Sequence, residues 1–373
     1  MFSYYSEQMR NKNTIYPEAR KGRGAPTNGV SQRFNLLDRE PDRDWLDERE
    51  LIGDSPARLR TEVTIEFPKS IINYNTSPDL PFDRSINAYR GCEHGCVYCY
   101  ARPTHAYHDL SPGLDFESRL FAKPNAADLL RQTFAKPAYQ PASLAIGTNT
   151  DPYQPIEKRY RITRQILEVM LETCHPVVIT TKSSRVVEDI DLLAQLATQQ
   201  LTAVAISITS LDPKTARLLE PRAPAPARRL EAVRALSAAG IYAHVNIAPV
   251  VPGITDHEIE TIVAAAAECG AKSISFIPMR LPHEVAPLFE QWLETHYPER
   301  KAKVMSIVRQ IRGGKRNDPD FHSRMRGQGP WADLIRTRIG IASRKAGIGK
   351  AKLKLRTDLF RRPVIKGSQM ELF

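Results

Sequence analysis

The sequence predicts an α/β protein built around a parallel sheet, and three observations predict it. Between residues 84 and 297, short β-branched runs alternate with longer stretches whose apolar residues recur at i, i+3 and i+4. The β runs are apolar enough to be buried, as the strands of a parallel sheet are. Polar residues then gather where each run ends, the edge at which such a sheet presents its working groups.

Residues 1–80 are polar, charged and irregular, with RKGRGAPTNG at 20–29 low in apolar periodicity, and are expected to form an N-terminal extension that is partly disordered. The first strand, 85–90, runs into a group of cysteines, and a helix is expected over 126–134. The second strand, 143–148, ends in GTNTD at 147–151, and ITRQILEVMLETC supplies its helix at 163–173. The third, 176–181, ends in TTKSS at 180–184, before a helix over 185–199. The fourth, 203–209, carries SITS at 207–210, before a helix over 226–239. The fifth, 242–248, carries Asn246 and leads to Pro252-Gly253, before a helix over 255–268. The sixth, 273–278, leads to Met279-Arg280, before a helix over 284–296. Six β-then-α units make residues 81–300 one domain, with 301–373 a basic helical region and tail.

A chain of 373 residues that is 42% apolar can bury a real core. Five cysteines are too few and odd in number for a disulfide scaffold, and the N-terminal residues show no secretory leader pattern. The longest apolar runs, such as 262–267, fall far short of the ~20 residues of a membrane helix, so a cytoplasmic protein with no membrane partner is expected. The net charge of +11 is uneven: residues 311–373 hold 16 Lys/Arg against 5 Asp/Glu, which accounts for all of it. A basic tail on a neutral body suits a polyanion, nucleic acid first among them, or serves as a solubilising tail.

Three of the five cysteines lie within residues 89–103, YRGCEHGCVYCYARP, as Cys92, Cys96 and Cys99. Thiolates in a C-x3-C-x2-C run on one tight loop can converge on zinc or on an iron–sulfur cluster. A structural zinc wants a fourth ligand, which His94, His105 or His108 would have to supply. A [4Fe–4S] cluster held by three cysteines leaves one iron open.

That spacing, with Tyr98 directly before the third cysteine and a strand directly upstream, resembles the radical S-adenosylmethionine (radical SAM) superfamily over roughly residues 84–297. The resemblance implies a partial (βα)6 barrel of the radical SAM type with an N-terminal extension and a basic C-terminal region. It implies a [4Fe–4S] cluster on Cys92, Cys96 and Cys99, with S-adenosylmethionine on the open iron. An external one-electron donor reduces the cluster, and cleavage of the sulfonium yields a 5′-deoxyadenosyl radical that abstracts hydrogen from a substrate. The turn that would hold the methionine amino group reads Gly147, Thr148, Asn149, Thr150 and Asp151, with hydroxyls and an amide in place of the commoner Gly-Gly-Glu. Asn246 joins it as a cofactor-binding candidate at the end of strand five.

Within the superfamily the sequence more closely resembles spore photoproduct lyase and its DNA-repair-photolyase-like relatives. CVYCY places Tyr98 and Tyr100 around the third cysteine, and Lys182 ends strand three. The likeness implies that Lys182 pairs the cofactor carboxylate, Ser207 meets its ribose or carboxylate, Tyr98 packs near the adenine, and Tyr100 is catalytic in hydrogen return. It also expects a hydrogen-returning cysteine after strand two, which GTNTD lacks, so repair by that route is not expected. Cys174 and Cys269, each at a helix end away from the rim, are expected to be buried apolar residues.

The final residues, Gln369 to Phe373 (QMELF), resemble the bacterial sliding-clamp-binding pentapeptide. The function expected is a lyase-like radical SAM enzyme acting on DNA, in repair or base modification. A radical enzyme of a protein or small molecule, and a zinc-stabilised nucleic-acid-binding module without catalysis, are the alternatives.

Overall fold

The computed structural model describes residues 22–29, 31, 33, 59–349 and 353–364. In chain order its strands are β1 (Glu62–Ile65), β2 (Ile72–Tyr74), β3 (Arg84–Ile86), β4 (Tyr89–Arg90), β5 (Arg119–Ala122), β6 (Leu144–Ile146), β7 (Val177–Thr181), β8 (Thr202–Ser207), β9 (Tyr242–Val250) and β10 (Ser273–Pro278). The main sheet runs β10-β9-β8-β7-β6-β3-β2, in which β3 and β6–β10 are parallel and β2 is antiparallel at the edge. The expected six-unit parallel order is therefore present. A small second sheet, β1-β5-β4, lies beside the cysteines.

Between the strands lie the helices α1 (Ala126–Ala135), α2 (Ile162–Glu172), α3 (Ile190–Thr198), α4 (Pro226–Ala238), α5 (Ile259–Glu268) and α6 (Val285–His296). The apolar stripes of α1 to α5 meet one face of the sheet, whereas Val285, Phe289 and Trp292 of α6 pack in a second core with Cys96, Val97 and Val304. Ile166, Leu167 and Met170 of α2 and Ile262, Val263 and Ala266 of α5 share a core with Ile146, Ile179, Val204, Ile206, Val245 and Ile247. Because side chains alternate along a strand, the intervening residues turn to the barrel interior. Those are Ala145 and Gly147, Thr180 and Lys182, Ala205 and Ser207, and His244 and Asn246. Cys174 and Cys269 lie in the outer core, as expected.

The first expected strand is interrupted. The chain leaves the main sheet after Ile86, and Tyr89–Arg90 pairs instead with β5. Asn87, at the break, accepts from the Asn149 amide at 2.9 Å and donates to Thr148 Oγ1 at 3.3 Å. The expected N-terminal extension also differs. Residues 62–65 and 72–74 supply strands, and residues 22–29 form a strap across the cysteine loop, with Gly24 and Ala25 amides donating to Glu117 at 2.9 and 2.7 Å.

Beyond the barrel, α7 (Pro298–Gln310) and α8 (Gly329–Lys345) follow, and Ile335, Ile339 and Ala342 of α8 join the outer core. Residues 353–364 pass along the side of the barrel opposite the cysteines. Arg356 N donates to Gln200 O and Arg361 N to Thr173 O, beyond the C-termini of α3 and α2. Among the described residues no helix is long and apolar enough to cross a membrane.

Candidate active site

The cysteine loop is shaped by glycines at positive φ, Gly91 at 70° and Gly95 at 66°. A Cβ on Gly95 would lie 2.7 Å from the Glu117 carboxylate, and one on Gly24 of the strap only 1.6 Å from the Gly95 carbonyl, so strap and loop meet backbone to backbone. Within the loop, the Cys99 amide donates to Cys96 O at 3.2 Å and the Cys92 amide to Phe116 O at 2.9 Å.

Arg102, fully buried three residues past the last cysteine, ties the loop together. Its guanidinium donates to Cys96 O at 2.9 Å, Gly95 O at 3.2 Å, Pro112 O at 3.0 Å and Gly113 O at 2.8 Å. Its charge is met by buried Glu117 at 2.5 Å.

The three thiols are desolvated and close enough to act on one another. Burial pushes Cys96 up to about 12, with Lys182 opposing, and burial first and the Asp151 charge second raise Cys92, with Cys96 adding to them. Such thiols ionise when a metal centre takes their protons' place. Three histidines lie near them, and a ring nitrogen of His94 and of His105, Nδ1 in both, has no hydrogen-bond partner among the described residues. His94 Nδ1 lies 3.3 Å from Asp151, and His105 Nε2 bonds Arg119 O at 2.8 Å. Burial lowers His105 to about 4, and His108 lies against the Phe121 ring at 4.9 Å. Among the described residues no three His, Cys, Asp or Glu side chains converge on a single ion, the arrangement a structural zinc needs. A cluster instead spreads its three thiolates over separate irons. Two buried cysteines and a half-buried third on one loop fit it.

Around the loop, Lys182 Nζ sits over the Tyr98 ring at 5.7 Å. The Tyr98 hydroxyl donates to Glu220 and lies 3.2 Å from Thr209 Oγ1, and Glu220 forms a buried ion pair with Arg229. Burial alone would raise the Glu220 carboxyl, but Arg229 and then Lys182 hold it at about 2. Burial opposes the Lys182 charge, yet Cys96 and Glu220 keep its pKa above the usual lysine value. Arg229 also donates to Ser207 O at 3.0 Å. Tyr98, Lys182 and Ser207 are thus brought to one corner, with the Tyr98 ring turned inward and its hydroxyl engaged.

The turn after β6 divides its labour. Gly147 has φ +90°, and a Cβ there would lie 2.0 Å from Thr180 O. Thr148 O accepts from the hydroxyl of Tyr100, whose side chain is 53% exposed. Asn149 is fixed by Asn87. Thr150 and Asp151 have a different task from the expected one. Thr150 Oγ1 donates to Gly91 O at 2.6 Å, while Asp151 accepts from Thr181 Oγ1 at 2.6 Å, Lys182 N at 2.7 Å and Tyr153 N at 2.9 Å. Burial would raise Asp151, but His94 above all holds it down at about 2. These two residues brace the cysteine loop against β7.

Asn246 likewise belongs to a ladder on β9 and β10. Its Oδ1 accepts from Ser275 Oγ and lies 2.9 Å from His244 Nε2, while His244 Nδ1 lies 2.6 Å from Ser273 Oγ. Asn87, Arg102, Glu117, Thr209, Glu220 and Arg229 were not readable as site residues. The one sequence signal among them is an arginine directly following the cysteine run.

A family model described as the radical SAM superfamily matches residues 86–266. The chain belongs to the radical SAM superfamily. A relative in Mycobacterium tuberculosis, an uncharacterised protein, is 36% identical over 232 residues, 62% of this chain and 68% of that protein. A radical SAM Nα-GlyT isomerase of Pseudomonas phage M6 is 23% identical over 225 residues, 60% of this chain and 45% of the isomerase. Among solved structures, a spore photoproduct lyase variant superposes with a TM-score of 0.52 at 14% identity, over 81% of this chain and 91% of that one. Another variant, with bound AdoMet and dinucleoside spore photoproduct, gives 0.50 at 15% identity, over 82% and 90%. At such identity the likeness shows a shared fold.

Proposed function

We propose that this radical SAM enzyme acts on DNA, as a base-modifying or repair enzyme. The observation that carries its radical SAM chemistry is the loop that gathers Cys92 and Cys96, both buried, and half-buried Cys99, with His94 facing Asp151 and His105 Nε2 on Arg119 O. When bound, the reduced cluster and S-adenosylmethionine supply the means to take a hydrogen atom from an unactivated carbon. Cys92, Cys96 and Cys99 would hold the cluster, and Lys182, over Tyr98, offers a half-buried cation for the cofactor carboxylate. The Glu220–Arg229 pair fixes the Tyr98 hydroxyl and so the height of that platform. Tyr100, anchored on Thr148, stands at the exposed side, where substrate would meet the cofactor.

The names of two similar proteins support a DNA substrate: one acts on a dinucleoside photoproduct, and the other is a radical SAM isomerase encoded by a phage. The turn at 147–151 carries no cysteine to return hydrogen, so we propose a reaction other than spore photoproduct reversal. The test is to incubate reconstituted, reduced protein with S-adenosylmethionine and either DNA or no DNA, following 5′-deoxyadenosine and deuterium transfer from labelled DNA, with Cys96→Ala as blank. Faster cofactor cleavage with label transfer is expected on DNA. Cleavage indifferent to DNA, with no label moved, would refute the substrate.

A further inference from the structure

At the mouth of the barrel the end of β10 is covered by the segment 312–328, and three arginines meet there. Arg312 is fully spent on the protein: its guanidinium donates to Pro278 O at 2.6 Å, to Met279 O at 2.8 and 3.1 Å and to Arg324 O at 2.7 Å. Arg324 is spent as well, donating to both oxygens of Asp79 at 2.6 Å with its plane 4.4 Å from the Phe321 ring. Arg280 is different. Its Nε is buried with no acceptor, and its Nη1 reaches only the Met325 sulfur at 3.3 Å, a weak acceptor. No carboxylate forms an ion pair with it among the described residues, although it lies within electrostatic reach of Asp79, Asp318 and Tyr100.

Arg280 lies two residues past the end of β10, on the same rim as the cysteines, three strands away from the Lys182 corner. Tyr100 gives it a neighbour of complementary chemistry: an aromatic ring 53% exposed, with its hydroxyl tied to Thr148 O so that the ring is held in place. A guanidinium with few protein acceptors, within electrostatic reach of a fixed, exposed aromatic ring, matches a phosphate and the base next to it. We infer that Arg280 and Tyr100 form a nucleotide-recognition site, in which Arg280 takes a phosphodiester of the substrate strand and Tyr100 stacks on a neighbouring base. The inference rests on the DNA reading above. It differs in naming the grip, which lies in the barrel mouth rather than in the basic tail.

The experiment is fluorescence anisotropy of a labelled single-stranded oligonucleotide with the full reconstituted chain across a salt series. Arg280→Ala is expected to weaken binding about tenfold and to flatten the salt slope by about 0.7, the value of one phosphate contact on a single strand. Arg280→Lys, which keeps charge without the fork, should fall between. Arg338→Ala removes an equal charge from the outer helix, where Arg338 pairs with Glu260 at 2.6 Å, and should change neither quantity. An oligonucleotide with neutral methylphosphonate linkages should bind wild type as weakly as it binds Arg280→Ala. Thermal unfolding confirms that each variant is folded. Unchanged affinity and slope in Arg280→Ala, with wild type still binding DNA, would overturn the inference and leave the DNA reading standing. A parallel loss of S-adenosylmethionine affinity would make Arg280 a cofactor ligand and overturn it too. A wild type that binds no oligonucleotide would overturn the DNA reading itself and the site with it.

Discussion

Lys182 is the side chain whose role is most exposed to test. It is held charged by Cys96 and Glu220 while largely removed from water, so its donors are costly to leave without an anion. Lys182→Ala is expected to weaken S-adenosylmethionine binding by about 1.5–3 kcal/mol in equilibrium dialysis, the worth of a charge-assisted hydrogen bond. Unaltered affinity would assign Lys182 to the Tyr98–Glu220 platform alone. Glu157 offers a different prediction. It accepts from the Tyr89 hydroxyl and from the Thr163 amide at 2.9 Å, and burial raises its pKa to about 7. A carboxyl with a raised folded pKa is favoured neutral, so it costs no stability below the unfolded value near 4.5 and an increasing amount as pH rises towards 7. The loss, complete above that pH, is about 3 kcal/mol. Glu157→Gln keeps an acceptor for the amide and a donor for Tyr89, so urea denaturation should show it more stable than wild type at pH 8 and no better at pH 4. A gap independent of pH would refute the assignment. Such residues were illegible in the sequence because a carboxyl's burial depends on partners brought in from elsewhere. The cysteines were legible because their spacing is itself the chemistry.

The six strands of the barrel were readable because their apolar, β-branched runs are short and bounded by helices with a 3.6-residue period. The break after Ile86 was not, since it depends on Asn87 meeting a turn more than sixty residues later. The same limit hid the brace of the cysteine loop. Nothing local announces that Arg102 will spend its donors on four carbonyls, or that Glu117 will meet both Arg102 and the Gly24 and Ala25 amides. Removing the acid strands a buried cation and two amides at once. Glu117→Ala is therefore expected to cost about 3–5 kcal/mol by chemical denaturation and to lower the iron content after reconstitution. Full stability with full iron loading would show that the loop holds its shape without the brace.

The basic C-terminal region was read as a grip for a polyanion, and in part it is spent on the protein. Arg356 pairs with Asp358 at 2.6 Å, and Arg362 donates to carbonyls of Pro137 at 2.8 Å and Tyr139 at 3.1 Å, among others. Phe360 packs edge-on to Phe134 and His175, anchoring the segment on the side opposite the cysteines. Lys350 and Lys352 and the QMELF end fall outside the described residues, and Lys354 is exposed. We propose that the tail end is an anchor for a sliding clamp and that DNA is held elsewhere. Deleting residues 369–373 should abolish clamp binding in a pull-down with purified clamp and leave the salt slope of DNA binding unchanged. Retained clamp binding would discard the anchor.

Time enters through the strap. During synthesis residues 22–29 leave the ribosome well before Asp115 and Glu117 exist to receive them, and Ser31 waits longer still for Glu284. The outer wall of the cysteine loop is thus closed late. A chain that closes before iron and sulfide arrive must reopen to be loaded, so maturation competes with folding. Gly24→Ala, which drives a Cβ into the Gly95 carbonyl, is expected to load its cluster faster than wild type in vitro and to lose it faster in air. Equal rates would show that loading follows another door. The strap would then act as a latch, and the order of events, as much as the final contacts, would decide whether the enzyme leaves the ribosome competent.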